Sequence, residues 1–175
     1  MLIFFMRKNF SLLILSLSLS SIVSAKEPVI ATLVNIISNE IQDYKIGNYK
    51  FRCPPYGVYT LEELLRNSKP DSMCRSSIQQ FYKKEQALRY YAQKKLHVQQ
   101  SYSMLFKDEK CIVHVAGKKT YSEFLLDLGL GVKVPSKLDE RYDSYFFKAQ
   151  SKAKNAKRGL WSVGIAKKCA TSIKK

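Results

Sequence analysis

Apolar side chains recur at intervals of three and four residues along residues 139–161, DERYDSYFFKAQSKAKNAKRGLW. This spacing predicts an amphipathic helix of about six turns that lays one apolar stripe on a core. Gly159 marks the predicted end of the helix, and Trp161, directly beyond it, is placed to fix that end to the core. The predicted stripe consists of Tyr142, Tyr145, Phe146, Ala149, Ala153, Ala156 and Leu160.

Upstream of this helix, short runs with alternating apolar and polar residues predict β-strands. The predicted strands are 29–37, a hairpin at 44–51 around Gly47 and Asn48, 96–106, 111–115 and an extended segment at 130–134. The predicted helices are 61–67, 75–93 and 122–128, and a turn is predicted at 107–110. This order of elements is typical of a small five-stranded barrel that carries helices, so we predict an α+β, mostly β domain.

Residues 1–25 differ from the rest of the chain. They contain Arg7 and Lys8, then the apolar run 12–19, and they end in the small residues Ser24 and Ala25. This is the pattern of a secretory signal peptide with cleavage after Ala25. A membrane anchor is the alternative, but a span needs about 20 apolar residues and serines interrupt this shorter run. We therefore predict an exported monomer, periplasmic or extracellular, without a membrane anchor, in which residues 26–175 form one domain.

The charge balance narrows the choice of partners. The sequence has 30 Lys and Arg against 14 Asp and Glu, so loss of Arg7 and Lys8 with the signal leaves a net charge of +14. Such an excess favours polyanions, namely nucleic acid, anionic lipid or acidic polysaccharide. The basic side of the last helix is most simply interpreted as a solvated surface; it comprises Lys148, Lys152, Lys154, Lys157 and Arg158.

Four cysteines all fall after residue 25. An even count in an exported chain predicts two disulfides, which three connectivities satisfy. We favour a bond between Cys53 and Cys74, which leaves Cys111 to pair with Cys169. A zinc site is the weaker alternative because the chain has only two histidines and lacks a Cys-x-x-Cys pair.

Three stretches resemble the staphylococcal nuclease (thermonuclease) family. They are ATLV at 31–34 followed by FR at 51–52, the run from Gly117 through SEFLLDLGLGVKV, and AQSKAKNAKRGLW, which ends at Trp161. They occur in the family's order and span nearly all of residues 26–175. The resemblance implies a five-stranded oligonucleotide/oligosaccharide-binding (OB) barrel with three helices, and a secreted enzyme that hydrolyses DNA and RNA phosphodiester bonds with calcium.

The resemblance also implies roles for particular residues. Arg52 stands where the family has the arginine that binds the scissile phosphate, and a guanidinium presents two parallel donors to such a group. Glu40 replaces the family's first calcium-binding aspartate, because the sequence reads Ser-Asn-Glu-Ile at 38–41 in place of Asp-Gly-Asp-Thr. Calcium prefers several hard oxygen ligands, so Asp43 or a backbone carbonyl is expected to assist Glu40.

The remaining parts of the family's site are altered. The Asp-Thr-Pro-Glu pattern after the arginine is absent, so its aspartate is missing, and Glu62 or Glu63 is the candidate general base. The family's second arginine has no counterpart, and Lys110 or Lys107 is the candidate replacement. A lysine supplies the positive charge but not the two parallel donors of a guanidinium.

Three hypotheses follow from these residues. The first is a secreted nuclease of the thermonuclease type, with Arg52, Lys110 and a glutamate base in its catalytic site and Glu40 and Asp43 near a divalent ion. The second is a catalytically eroded domain that binds nucleic acid or another envelope polyanion. The third is a disulfide-bonded envelope protein with a protein partner. A net charge of +14 argues against a purely apolar interface with that partner.

Overall fold

The computed structural model describes residues 27–135, 138–162 and 164–173. The predicted signal peptide at 1–25 lies outside the described residues. The chain folds into two antiparallel sheets and several helices, which confirms an α+β class. The strands are β1 Val29–Ile36, β2 Gln42–Ile46, β3 Tyr49–Cys53, β4 Val58–Thr60, β5 Ser101–Lys107, β6 Lys110–Ala116, β7 Lys119–Thr120 and β8 Gly131–Lys133.

The six-stranded sheet has the order β3-β2-β1-β5-β6-β7, and β4 pairs with β8 in a separate two-stranded sheet. Within the described residues these ladders form open sheets and no closed barrel. The helices are α1 Leu61–Asn67, α2 Met73–Lys84, α3 Gln86–Arg89, α4 Tyr91–Lys95, α5 Tyr121–Asp127, α6 Glu140–Asn155 and α7 Ile165–Lys168. None of these described helices is long and apolar enough to cross a membrane.

Elements with strong local signals lie where the sequence predicts them. The β2–β3 hairpin turns at Gly47, which has a positive φ of 56°. Helix α1 is capped by Thr60, whose hydroxyl accepts from the Glu63 amide at 3.1 Å. Helix α5 begins with a complete capping box between Thr120 and Glu123. These features depend on neighbours in sequence, so periodicity and turn chemistry are sufficient to find them.

The helix predicted at 75–93 is instead three helices, α2, α3 and α4, and a side chain from the loop after β1 lies at the break between α3 and α4. Asn39, in the loop after β1, is fully buried. Its amide nitrogen donates to the carbonyls of Leu88 and Arg89 at 2.9 and 3.2 Å, and its oxygen accepts from the Ala92 amide at 2.8 Å. The helical ladder is interrupted where Asn39 takes these backbone groups. The predicted strand 96–106 likewise begins later, at Ser101.

The last helix is shorter than predicted. Helix α6 ends at Asn155, and residues Gly159–Trp161 form a separate short 3-10 turn. Gly159 has a φ of 53° and packs directly against the Gly129 carbonyl, where any side chain would clash. Most of the predicted stripe is buried, but Tyr145 is 45% exposed and Ala156 also faces solvent. Trp161 packs against the core as predicted, with the Lys154 ammonium 4.6 Å from its ring centre.

The four cysteines form two disulfides, but the favoured pairing of Cys53 with Cys74 and Cys111 with Cys169 is wrong. The bonds are Cys53–Cys111 and Cys74–Cys169, with Cα separations of 5.7 and 4.7 Å. The end of β3 lies beside the start of β6, where the Cys111 amide donates to the Pro54 carbonyl at 2.8 Å. Sequence proximity favoured a local bond, whereas the fold brings together residues 58 and 95 positions apart.

Two apolar clusters fill the interior. The larger one lies between the six-stranded sheet, α2 and α5, and includes Leu33, Tyr44, Ile78, Met104 and Leu125. The smaller one lies under α6 and is formed by Val58, Ile112, Leu126, Tyr142 and Phe146. Helix α6 is therefore anchored along one face only, which leaves its lysines on the surface.

Candidate functional site

The β2–β3 hairpin carries a set of outward-facing polar side chains. Strand alternation buries Gln42 and Tyr44 on β2 and Cys53 on β3. The side chains that alternate with them, Asp43 and Lys45 on β2 and Lys50 and Arg52 on β3, face outward. The ladder pairs Asp43 with Arg52 and Lys45 with Lys50. We name this surface the hairpin face; it consists of Asn35, Asp43, Lys45, Lys50 and Arg52.

Arg52 is held in place by a carboxylate. Its Nε donates to Oδ1 of Asp43 at 2.9 Å, and Asn35 Nδ2 donates to Oδ2 of the same residue at 3.4 Å. The hydrogen bond from Arg52 lowers the pKa of Asp43, and the same bond raises the pKa of Arg52. Because Asp43 uses Nε, the two terminal nitrogens of the guanidinium remain available, on a side chain that is 59% exposed. Arg52 is thus oriented by its neighbour and open to a ligand.

The surroundings of Arg52 are open and basic. A groove of about 470 Å³ is lined by every residue of the hairpin face except Lys45, together with Val34 and Phe51. Lys45 and Lys50 lie directly opposite each other on the ladder. Like charges in this cross-strand position destabilise a hairpin. A bound anion would remove that repulsion, so the hairpin face has the arrangement of an anion-binding surface.

A second group of charged residues surrounds α1. Glu40, in the loop after β1, is only 5% exposed. Its two carboxylate oxygens accept from the two terminal nitrogens of Arg66 at 2.6 and 2.8 Å, which is the bidentate arrangement of a strong ion pair. Glu63 lies 3.8 Å from Lys110. We name this group the glutamate cluster; it consists of Glu40, Glu62, Glu63, Arg66 and Lys110.

The two candidate general bases have different environments. Burial raises the pKa of Glu63, and Lys110 opposes that shift. Burial raises the pKa of Glu62 further, to about 7. Glu62 lies beside the Tyr82 hydroxyl, and its Oε2 is buried without a well-formed hydrogen bond to any described residue. Glu62 therefore faces α2 and the interior, whereas Glu63 faces β6.

The disulfide between Cys53 and Cys111 connects the hairpin face to the glutamate cluster. Arg52 immediately precedes one of these cysteines and Lys110 immediately precedes the other. The bond therefore fixes the strands that carry the two predicted cations next to each other. Lys107, the other candidate, pairs with Asp139 at 3.8 Å and lies over the Tyr56 ring.

Calcium was predicted at Glu40 and Asp43, and the side chains do not fit that ion. Calcium takes about six to eight oxygen ligands. Both oxygens of Glu40 are bound to Arg66, and those of Asp43 are bound to Arg52 and Asn35. The described residues contain no group of three or more His, Cys, Asp or Glu side chains that could hold a metal ion. The pairing of both carboxylates with nitrogen donors disfavours calcium binding at this place, and calcium stays a prediction.

Four of these residues were not identified from the sequence, and Asn35 is one of them, because its contact with Asp43 depends on the pairing of β1 with β2. Lys45 and Lys50 follow the alternation of the hairpin, so their position opposite each other follows once its turn is located. Arg66 gives no comparable signal, because its partner Glu40 lies 26 positions away.

Comparison with known proteins does not assign the chain to a family: no protein-family model matches it, and no curated protein is significantly similar to it.

Proposed function

We propose that this protein is an exported nucleic-acid-binding domain of the staphylococcal nuclease type, which holds a single strand by its phosphates on the hairpin face. The observation that carries the proposal is Arg52, held through Nε by Asp43 with its terminal nitrogens turned to an open groove. A guanidinium in this arrangement offers parallel donors to two oxygens of one phosphate. Lys45 and Lys50 supply charge for a neighbouring phosphate.

The strand order supports the OB-type barrel that belongs to this proposal. The first five strands of the sheet have the order β3-β2-β1-β5-β6, and β3 and β6 are the two edges that a barrel would join. A parallel bridge between Pro55 and Cys111 and the Cys53–Cys111 disulfide lie at that junction. OB domains are partly open five-stranded barrels that bind oligonucleotides on their strands.

Export to the periplasm or the medium is part of the same proposal. Two disulfides are expected in an oxidising compartment and are rare in cytosolic proteins. The signal pattern of residues 1–25 points in the same direction.

The test is binding of a labelled single-stranded oligonucleotide, followed by fluorescence anisotropy across a salt series. Each phosphate contact contributes about 0.7 to the slope of log K against log salt for a single strand. We expect Arg52→Ala to weaken binding about tenfold, since a hydrogen bond to a charged group contributes about 1.5–3 kcal/mol. Lys94→Ala, which removes one exposed positive charge on α4, is the matched control. Absence of binding, or an equal loss in both variants, contradicts the proposal.

Phosphodiester hydrolysis is the second candidate function, favoured by the position of Glu63. This carboxylate is half-buried, has a raised pKa, and lies next to Lys110 at the disulfide that follows Arg52. As a general base, Glu63 would take one proton from a water whose oxygen forms a new bond to phosphorus while Arg52 holds the phosphate oxygens. The P–O bond to the leaving oxygen breaks, and that oxygen takes a proton from the solvent.

Hydrolysis is tested by incubating the mature protein with plasmid DNA and with RNA, in calcium and in a chelator. Cleavage that Arg52→Ala and Glu63→Gln both abolish, with oligonucleotide binding retained in Glu63→Gln, supports the enzyme. Glu62→Gln is expected to cleave normally, because Glu62 faces α2. Tight binding without cleavage in either condition leaves the binding function alone.

A further inference from the structure

A second basic surface lies between α5 and α6, apart from the hairpin face and the glutamate cluster. It is a groove of about 420 Å³ formed by the turn between β6 and β7, by α5 and by α6. We name it the α5–α6 groove; its polar and aromatic lining is Lys118, Lys119, Glu123, Asp127, Tyr145, Lys148 and Lys152.

The two acidic residues of the groove are engaged inside the protein. Asp127 forms an ion pair with Lys119. Glu123 accepts hydrogen bonds from the backbone amide and the hydroxyl of Thr120 at 2.8 and 3.0 Å, as part of the α5 cap. Asp127 is neutralised by Lys119, whereas Glu123 accepts only from neutral donors and keeps its negative charge. The groove therefore has four lysines against two carboxylates, an excess of two positive charges.

Three lysines of the groove are exposed: Lys118, Lys148 and Lys152. In the part of the chain that the structure describes, no carboxylate lies within ion-pair distance of any of them. Lys148 and Lys152 are also four residues apart on α6, where like charges cost a few tenths of a kcal/mol. The protein therefore maintains a repulsive arrangement that a bound polyanion would relieve.

An aromatic ring identifies the kind of polyanion. Tyr145 lies one turn before Lys148 on α6, lines the groove and is 45% exposed. An exposed ring among lysines is how proteins bind single strands, with a base stacked on the ring and phosphates on the cations. Lys148 and Lys152 are separated by about 6 Å along the helix axis, which suits neighbouring phosphates of an extended strand. A membrane surface fits a convex face better than this concave one. The bases of a single strand stack face to face on an aromatic ring, whereas the sugars of an acidic polysaccharide offer it only C–H groups.

We propose that the α5–α6 groove is a second contact surface for single-stranded nucleic acid, with phosphates on Lys118, Lys148 and Lys152 and one base on Tyr145. The proposal rests on the proposed function for the identity of the ligand. It adds a separate site, so that a longer strand is held at two places on the molecule.

The experiment compares a double variant, Lys148→Gln with Lys152→Gln, with a control of equal charge, Lys83→Gln with Lys94→Gln. All four lysines are exposed on helices, so both variants are expected to fold. Binding of a labelled single-stranded oligonucleotide of about 20 nucleotides is measured across a salt series. We expect the groove variant to lower the salt slope by about 1.4, which is two phosphate contacts, while the control leaves it unchanged.

Tyr145 provides a readout that charge alone does not move. Tyr145→Leu is expected to weaken oligonucleotide binding about tenfold, because the variant loses the stacking of a base on the ring. Tyr145→Phe, which keeps the ring, is expected to bind like the unchanged protein. Equal binding by Tyr145→Leu and Tyr145→Phe would contradict the stacking of a base on the Tyr145 ring.

The outcomes separate the two proposals. If the unchanged protein binds oligonucleotide and the groove variant matches its control, the α5–α6 groove is not a contact surface for the strand, and the proposed function is unaffected. If Arg52→Ala binds normally and the groove variant does not, the result supports binding at the α5–α6 groove and contradicts binding at the hairpin face. Absence of all oligonucleotide binding overturns both. Loss of binding to phosphatidylglycerol vesicles in the groove variant, with oligonucleotide binding intact, would reassign the groove to anionic lipid.

Discussion

Glu62 is an acid in an environment that disfavours its charge. Burial raises its pKa to about 7, and the nearby charge of Glu40 acts in the same direction. The folded protein therefore holds a proton on Glu62 at pH values where the unfolded chain has released it. By linkage, this contribution to stability is fully present below about pH 4 and is lost as the pH rises to about 7.

The first prediction concerns Glu62→Gln, which is neutral at every pH. Relative to the unchanged protein, we expect this variant to gain about 3 kcal/mol of unfolding free energy between pH 4 and pH 8, because it lacks the cost of ionising a buried carboxyl. Urea unfolding at pH 4, 6 and 8 measures the difference. Glu85→Gln, an exposed position, serves as the control and should show little change with pH. A difference for Glu62→Gln that is constant across pH would mean that ionisation of the Glu62 carboxyl does not limit stability.

At the scale of single elements, sequence neighbours explain some boundaries and distant contacts explain others. The cap of α1 at Thr60 follows from its own residues. The breaks between α2, α3 and α4 do not, because the sequence of 75–93 is compatible with one continuous helix. At the break between α3 and α4, the side chain of Asn39 takes backbone groups of Leu88, Arg89 and Ala92.

The second prediction tests that role. Asn39→Ala removes three hydrogen bonds and leaves buried backbone groups unpaired, so we expect a loss of about 3 kcal/mol of unfolding free energy. If the slope of unfolding free energy against urea concentration is unchanged, the loss of stability is assigned to the folded state. Asn155→Ala, exposed at the end of α6, is the control and should cost little. A loss below about 1 kcal/mol for Asn39→Ala would mean that the break between α3 and α4 forms without it.

For the whole molecule, the two disulfides join segments that are far apart in sequence. Their sequence separations are 58 and 95 residues, so a chain-entropy account predicts similar stabilisation, about 4–5 kcal/mol each. Their positions differ, because only Cys53–Cys111 lies next to Arg52 and Lys110. The bond Cys74–Cys169 attaches the last described segment to α2.

The third prediction separates stability from function. Cys53→Ala with Cys111→Ala is expected to lose both stability and oligonucleotide affinity, because the strand that carries Arg52 is no longer fixed beside β6. Cys74→Ala with Cys169→Ala is expected to lose a similar amount of stability while retaining affinity. Thermal unfolding and anisotropy are measured on both variants at a temperature where circular dichroism shows them folded. Equal loss of affinity in the two variants would remove the link between the disulfide and the hairpin face.

The pattern of residues by itself determined the α+β class, the β2–β3 hairpin and helices α1 and α5, whereas Arg52 became a candidate for phosphate binding only through the family resemblance. These elements depend on periodicity, turns and caps, which act over a few residues. Only the tertiary structure decided the disulfide pairing, the insertion of Asn39 into the 75–93 region, the capture of Glu40 by Arg66, and the different environments of Glu62 and Glu63. Each of these depends on which distant segments pack together, and burial and pairing then set the charge and the free energy of the groups involved.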